Sequence, residues 1–294
     1  MRVLVTGANG MLGLDLGAML EGAGHEVLRT DVGKREGMEV PDWIPLDITN
    51  TEQVQQFVKE HQPDAIFHGA AYTDVDGCER NPDLAYKVNG LGTWNLAAVA
   101  AERNIPILYI STDFIFDGKK GTPYTEMDAP NPLGHYGASK LAGERYVTQL
   151  CRKHFIVRTS WLFGAQGPNF PRKMLELAQT RKELKVVGDQ TGSPTHTRDL
   201  CRVAIDLLTK SSLYGTYHVS NKGQCSWFEF AKATLELAGV TGVDVHPIPS
   251  DEFPSPTQRP AYSVMRHYSL ELQGKDDLPE WKDALREFLS LLKR

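Results

Sequence analysis

The chain opens on Met1 to Thr6, a short run that reads as a buried strand and leads straight into Gly7-Ala8-Asn9-Gly10-Met11-Leu12-Gly13. Leu12, Leu16, Met19 and Leu20 then recur at helical spacing. A strand that feeds a helix through so tight a turn leaves few architectures open, because the helix must fold back along the strand. Glycines in the turn leave backbone N–H groups unshielded, and the helix N-terminus adds positive potential, so the turn suits a phosphate. Gly7, Gly10, Met11, Leu12 and Gly13 are therefore candidate cofactor-binding residues.

The same unit repeats. Further strands are predicted at His25–Thr30, Ala65–His68, Ile107–Ile110 and Phe155–Arg158, separated by helices beginning near Thr51, spanning Leu84–Arg103, and carrying Tyr136. Alternating strands and helices imply the α/β class, with a doubly wound, Rossmann-like parallel sheet. Beyond residue 160 the pattern loosens. A helix is predicted from Asn169 through Arg181, a loop-rich stretch over Val186–Thr195, and a return to the sheet through a helix at Thr197–Leu208 and a strand at Thr216–Val219. A helix at Ser226–Ala238, a short strand at Val243–Ile248 and a terminal helix at Asp283–Leu292 follow. The expected organisation is a dinucleotide-binding domain over residues 1–160, with a return segment at about 196–220. Residues 161–195 and 221–294 would form a smaller, discontinuous α/β substrate domain.

Composition narrows the function classes. The 294 residues carry a net charge of −5, without a basic tract for nucleic acid or an apolar run long enough for a membrane. No charged-then-apolar leader precedes Val3, and Cys78, Cys151, Cys201 and Cys225 are scattered without metal spacing. A reducing cytoplasm is the simplest location, and no metal site is expected.

Several residues at predicted strand ends carry chemistry. Asp31 ends the second strand, where an acidic residue binds the adenosine ribose hydroxyls and disfavours a 2′-phosphate. Lys34 and Arg35 follow, either to neutralise such a phosphate or as a solvated loop, so NADH and NADPH both stand. Gly69-Ala70-Ala71 offers little side chain at the end of the next strand, which lets a cofactor pass close to the backbone. Tyr72-Thr73-Asp74-Val75-Asp76 is too polar for core and begins a substrate-facing loop. Tyr136 and Lys140 are four residues apart, one turn on a common helix face, and an ammonium there favours the phenolate. Thr112, at another strand's carboxyl end, would hydrogen-bond the same substrate oxygen. The three make a proton-transfer triad.

The G-x-x-G-x-x-G spacing resembles that of the short-chain dehydrogenase/reductase superfamily. The segments 70–76, Ser111–Gly118, Tyr136–Glu144, Arg158–Gly164, Asp189–Thr195 and Arg259-Pro260 are together similar to the dTDP-4-dehydrorhamnose reductase family over nearly the whole chain. The resemblance implies nicotinamide-dependent reduction of the C4 ketone of a dTDP-linked 6-deoxy sugar. Tyr136 would donate the proton, Lys140 would lower the phenol's pKa and hold the nicotinamide ribose, and Thr112 would steady the oxygen. It further implies Asp47 and Ile48 against the adenine, although Asp47 also suits a turn or helix cap. Asn89, in Asn-x-x-Gly-Thr, together with Ala70, Ala71 and Tyr72, would lie toward the cofactor. Thr73, Asp113, Trp161, Asn169 and Arg259 would lie toward the nucleotide-sugar.

Two positions depart from the family. Phe114 stands where tyrosine is common and cannot supply the acid/base work that a dehydratase needs there. Arg266, in Met265-Arg266-His267, reverses a usual negative charge. The magnesium that some members need has no evident ligand cluster, and a homodimer is an open reading. Competing readings are a reductase or epimerase for another nucleotide-sugar, and a non-catalytic, cofactor-binding regulatory subunit. The intact triad argues against the last.

Overall fold

A computed structural model describes residues 1–34 and 40–293. Arg35 lies outside the described residues. The amino-terminal elements are β1 (Arg2–Thr6), α1 (Met11–Gly22), β2 (Glu26–Asp31), β3 (Ile44–Pro45), α2 (Thr51–His61), β4 (Ala65–His68), α3 (Val75–Arg80), α4 (Pro82–Ala85), a π-helical turn (Tyr86–Gly92), α5 (Thr93–Arg103), β5 (Ile107–Thr112), α6 (His135–Leu150) and β6 (His154–Thr159). Then come β7 (Leu162–Phe163), α7 (Phe170–Ala178), β8 (Glu183–Val187), β9 (Thr191–Gly192), β10 (Thr195–His196), α8 (Thr197–Lys210), β11 (Gly215–His218), β12 (Cys225–Ser226), α9 (Trp227–Ala238), β13 (Asp244–Ile248), α10 (Tyr268–Leu272) and α11 (Trp281–Leu292).

Seven strands form one parallel sheet in the order β11-β6-β5-β4-β1-β2-β3. The strand order reverses between β1 and β4, and a cleft at the carboxyl ends beside such a reversal is where open α/β sheets bind ligands. Both sheet faces are buried, so the central strands read as unbroken apolar runs rather than alternating ones. Leu16 and Leu20 of α1 join Leu200, Ala204 and Leu208 of α8 on one face. Val54 and Phe57 of α2 join Leu96 and Ala100 of α5, with Val147 of α6, on the other. A separate apolar cluster joins Phe230 of α9 to Trp281, Leu285 and Phe288 of α11.

The structure departs from the sequence expectations in four elements. Residues 75–80, read as loop, form α3, capped by the Asp74 side chain on the Gly77 N–H. The helix expected from Leu84 starts at Pro82 and is interrupted by the π-helical turn. The helix expected through Arg181 ends at Ala178. The stretch expected to be loop from Val186 includes the end of β8, which pairs in parallel with β13. No helix among the described residues is long and apolar enough to cross a membrane.

Candidate active site

A cleft of about 740 Å³ opens at the carboxyl ends of the sheet strands. Its floor begins at the turn after β1. Gly7 has φ +72°, and a Cβ there would lie 2.7 Å from the Ala70 nitrogen, so only glycine lets the β1 and β4 loops meet so closely. Gly13 is required where α1 presses on the Gly7 carbonyl and Ala8. α1 starts after Gly10 without a side-chain cap, which leaves its first N–H groups to a ligand in the cleft.

Asp31 lines the cleft one strand away. Its Oδ2 accepts the Asn9 N–H at 3.0 Å and its Oδ1 accepts the Val32 N–H at 2.8 Å, which aims the carboxylate along the glycine turn. Lys34 is exposed at the same end. Asp47 and Ile48 also line this end. Asp47 accepts both the backbone N–H and the hydroxyl of Thr49, at 2.9 and 2.8 Å, while Asn50 caps α2. The cap reading of Asp47 is thereby replaced by a turn that faces the cleft. An uncapped helix start, a close-packed glycine turn and a carboxylate one strand away fit a dinucleotide.

At the other end the cleft is lined by Thr112, Tyr136 and Lys140 together. Burial pushes the Lys140 ammonium down to about 7, against a partial upward pull from Glu144. Its Nζ lies 4.1 Å from the centroid of the Tyr109 ring, a cation–π contact that no sequence spacing announced. Tyr109 in turn donates its hydroxyl to the Lys140 carbonyl at 3.3 Å. Burial raises the Tyr136 phenol above its ordinary range, with the Thr112 hydroxyl pulling the other way. The expected lowering of the phenol by Lys140 is therefore corrected: desolvation dominates, and the phenol stays protonated at neutral pH. Phe114 packs edge-on to Tyr136 with ring centroids 5.5 Å apart.

Ala70, Ala71, Thr73, Asp113, Trp161 and Arg259 all line the cleft. Asp113 is 2 % exposed, its Oδ1 accepts the Thr112 hydroxyl at 3.1 Å, and its Oδ2 is buried without a partner. Burial raises its carboxyl to about 6, against the hydroxyls of Ser263 and Thr112. Trp161 holds a left-handed backbone (φ +47°), a strained state for a bulky residue that its packing must impose. Its indole stacks on Trp227 at 3.6 Å and lies against Gly192, where a Cβ would come within 2.6 Å of the ring. Trp227 lines the cleft as well; its place at the start of α9 gave no sequence signal.

Three expected site residues do not line the cleft. Asn89 is fully buried, and it accepts the Tyr72 N–H at 2.8 Å and donates to the Tyr72 carbonyl and to Ser139. It brackets Tyr72 to α6, and Tyr72 meets it through backbone. Asn169 caps α7 by accepting the Arg172 N–H at 3.1 Å, and donates to the Gly164 carbonyl at 2.8 Å. Arg266, the departure from the family pattern, is not among the cleft-lining residues either: it pairs with Glu271 at 2.6 Å and lies over the Tyr268 ring. Among the described residues no group of three or more His, Cys, Asp or Glu is arranged to hold a metal ion.

The family model for the RmlD substrate binding domain matches residues 1–294. A crystal structure of a dTDP-4-dehydrorhamnose reductase from Clostridium acetobutylicum ATCC 824 is 45% identical, with a TM-score of 0.93 and full coverage of both chains (100% and 100%). The dTDP-4-dehydrorhamnose reductase from Bacillus anthracis str. Ames, solved in complex with NADP, is 43% identical with a TM-score of 0.90, covering 98% of each chain. The spore coat polysaccharide biosynthesis protein SpsK of Bacillus subtilis (strain 168) is 40% identical over 98% of this chain and 96% of its own. With this match over the whole chain, and with a glycine turn, the Asp31 carboxylate and Thr112, Tyr136 and Lys140 in one cleft, the chain belongs to the dTDP-4-dehydrorhamnose reductase family.

Proposed function

We propose that the protein reduces the C4 ketone of dTDP-4-dehydro-L-rhamnose to the alcohol of dTDP-L-rhamnose, using a reduced nicotinamide cofactor. The observation that carries this reading is the meeting of Thr112, Tyr136 and Lys140 at one end of a cleft whose other end is the α1 N-terminus and Asp31. The cofactor supplies a hydride to the carbonyl carbon. Tyr136 gives its phenolic proton to the carbonyl oxygen, which becomes the hydroxyl, and is reprotonated from solvent through the cleft. Lys140, when charged, stabilises the phenolate left behind and donates to the nicotinamide ribose. The Thr112 hydroxyl accepts the Phe114 N–H and donates its one proton to Asp113 Oδ1; with substrate bound, that proton would turn from Asp113 to the carbonyl oxygen.

Trp161, Thr73 and Asp113 would face the sugar, and Arg259 the diphosphate, whose oxygens suit a guanidinium fork. Gly7, Gly10, Met11, Leu12 and Gly13 would hold the cofactor diphosphate, Asp31 its adenosine ribose, Asp47 and Ile48 its adenine, and Ala70 and Ala71 its passage toward Tyr136. Asp31 favours ribose hydroxyls and Lys34 a 2′-phosphate, so Asp31→Ala is expected to raise the use of NADPH relative to NADH. Unchanged selectivity would remove Asp31 from that role.

The test is oxidation of NADH and of NADPH, followed by absorbance, with dTDP-4-dehydro-L-rhamnose as substrate and the product sugar identified. Turnover with dTDP-L-rhamnose as product is the expected result. Protein that binds the cofactor but oxidises neither form would redirect the reading to another nucleotide-sugar.

A further inference from the structure

The segment from Ser255 to Arg259 crosses to the cleft from the carboxyl-terminal part of the chain, and its side chains converge on one carboxylate of the amino-terminal part. Asp76, in the first turn of α3, accepts at Oδ1 from the Ser255 hydroxyl at 2.8 Å, the Thr257 hydroxyl at 2.7 Å and Arg259 Nη2 at 3.2 Å. Thr257 is buried, and its hydroxyl also lies 3.3 Å from the Val75 carbonyl. Burial opposes ionisation of Asp76, yet the Thr257 and Ser255 hydroxyls and the Arg259 charge outweigh it and hold the carboxyl below its ordinary range.

Downstream of Arg259 the chain is anchored by backbone instead. The Ala261 carbonyl accepts the Thr191 N–H, and the Ser263 N–H donates to the Thr191 carbonyl, both at 2.8 Å. Gly118 packs so closely that a Cβ would lie 2.7 Å from the Ala261 nitrogen. On its other side Arg259 is therefore placed by the side-chain anchor on Asp76. A guanidinium has five N–H donors in a fixed fork, and the Asp76 contact leaves donors for a second anion. Arg259 and Pro260 line the cleft.

We propose that Asp76 is a positioning residue for the nucleotide part of the substrate: it clamps the Ser255–Thr257 strap to α3 and presents the remaining Arg259 donors to the substrate diphosphate. This rests on the nucleotide-sugar reading above. It predicts that Asp76 governs substrate affinity and leaves the hydride step alone.

The test measures dTDP binding by titration calorimetry, with KM and kcat for the dTDP-sugar alongside. Asp76→Ala is expected to raise the Kd for dTDP and the KM by about tenfold, the scale of one lost charge-assisted contact. kcat and NAD(P)H affinity should hold. Asp76→Asn keeps an acceptor without the charge, so it should fall between Asp76→Ala and the parent protein. Should Asp76→Ala fail to fold, the double variant Ser255→Ala/Thr257→Val, which leaves α3 intact, must raise the same Kd. An unchanged Kd in the variants, or tighter binding because the carboxylate only competed for Arg259, would overturn the role of Asp76. A parent protein that binds no dTDP would overturn the nucleotide-sugar reading itself.

Discussion

Tyr136 and Lys140 sit one turn apart on α6, and burial moves them in opposite senses. It raises the phenol and lowers the ammonium to about 7, because each is pushed toward its neutral form. A neutral phenol is the form a proton donor needs. Tyr136→Phe keeps the ring and removes the proton, so kcat is expected to fall on the order of 10²–10⁴-fold while cofactor affinity, read by titration, stays within about twofold. A fully active variant would remove Tyr136 from the reaction. For Lys140 the charged fraction declines as pH rises through about 7, so kcat is expected to fall on the alkaline side. A flat profile from about pH 6 to about pH 9 would show that the ammonium is not required. The stability effect has a definite sign. The folded pKa lies below the ordinary 10.5, so the unfolded chain binds the extra proton between the two values and stability rises with pH across that window. Below it, the fold carries the full cost of a buried charge. Lys140→Met is thus expected to lose activity yet gain a few degrees in Tm at pH 6, with the gain shrinking as the pH approaches about 10.

α6 is held in place by an element that no sequence period reveals. The Tyr86–Gly92 turn is π-helical within an otherwise continuous helical run, and such insertions often mark functional sites. Asn89 sits in it, fully buried, with both ends of its amide on Tyr72 and Ser139. Asn89→Ala would leave the Tyr72 N–H and carbonyl without these partners and is expected to cost about 1–3 kcal/mol, read as a lower urea midpoint at unchanged slope. An unchanged midpoint would mean that water replaces the bracket at no cost. Much of this framework was legible in the chain. The glycine turn, the strand ends at Asp31, Ala70 and Thr112, and the Tyr136/Lys140 spacing all face one cleft, because local pattern and sheet topology point to the same end of the strands. What stayed illegible depends on distant partners. Glu183–Val187 is a charged, short strand that becomes recognisable only beside Asp244–Ile248. The Lys140 contact with Tyr109 joins two elements. Asn169, read as the start of a helix, caps α7, a role that its place before Phe-Pro announces.

At the scale of the whole molecule, buried polar chains connect the sheet to the carboxyl-terminal segment. Ser220, His267 and Asp276 form one such chain, with His267 2.9 Å from the Ser220 hydroxyl and 3.1 Å from Asp276. Its order matches that of a hydrolase triad, but Ser220 is fully buried and does not line the cleft, so the chain fastens the segment after β11 to the residues on either side of α10. A second chain lies directly beneath α6, the helix that carries Tyr136 and Lys140. Glu144, one turn beyond Lys140, takes two hydrogen bonds from Arg158, at 3.0 and 2.8 Å, with both side chains buried. Arg158 Nη1 lies 3.4 Å from His218 Nε2, and His218 Nδ1 reaches the Tyr124 and Arg266 carbonyls at 3.2 Å. Burial and the Arg158 charge hold His218 neutral, so a single proton on Nδ1 can serve those carbonyls while Nε2 accepts from Arg158. The chain thus ties α6 to β6, β11 and the segment that carries Arg266. A buried pair of this kind is worth little against a well-packed apolar substitute, yet costly to break from one side. Glu144→Ala, which strands the Arg158 charge, is expected to cost about 3–5 kcal/mol in urea denaturation. The double variant Glu144→Met/Arg158→Met should recover most of that loss, because no buried charge is left unpaired. If the single variant costs under about 1 kcal/mol, Arg158 has found water or another partner, and α6 is held by packing alone.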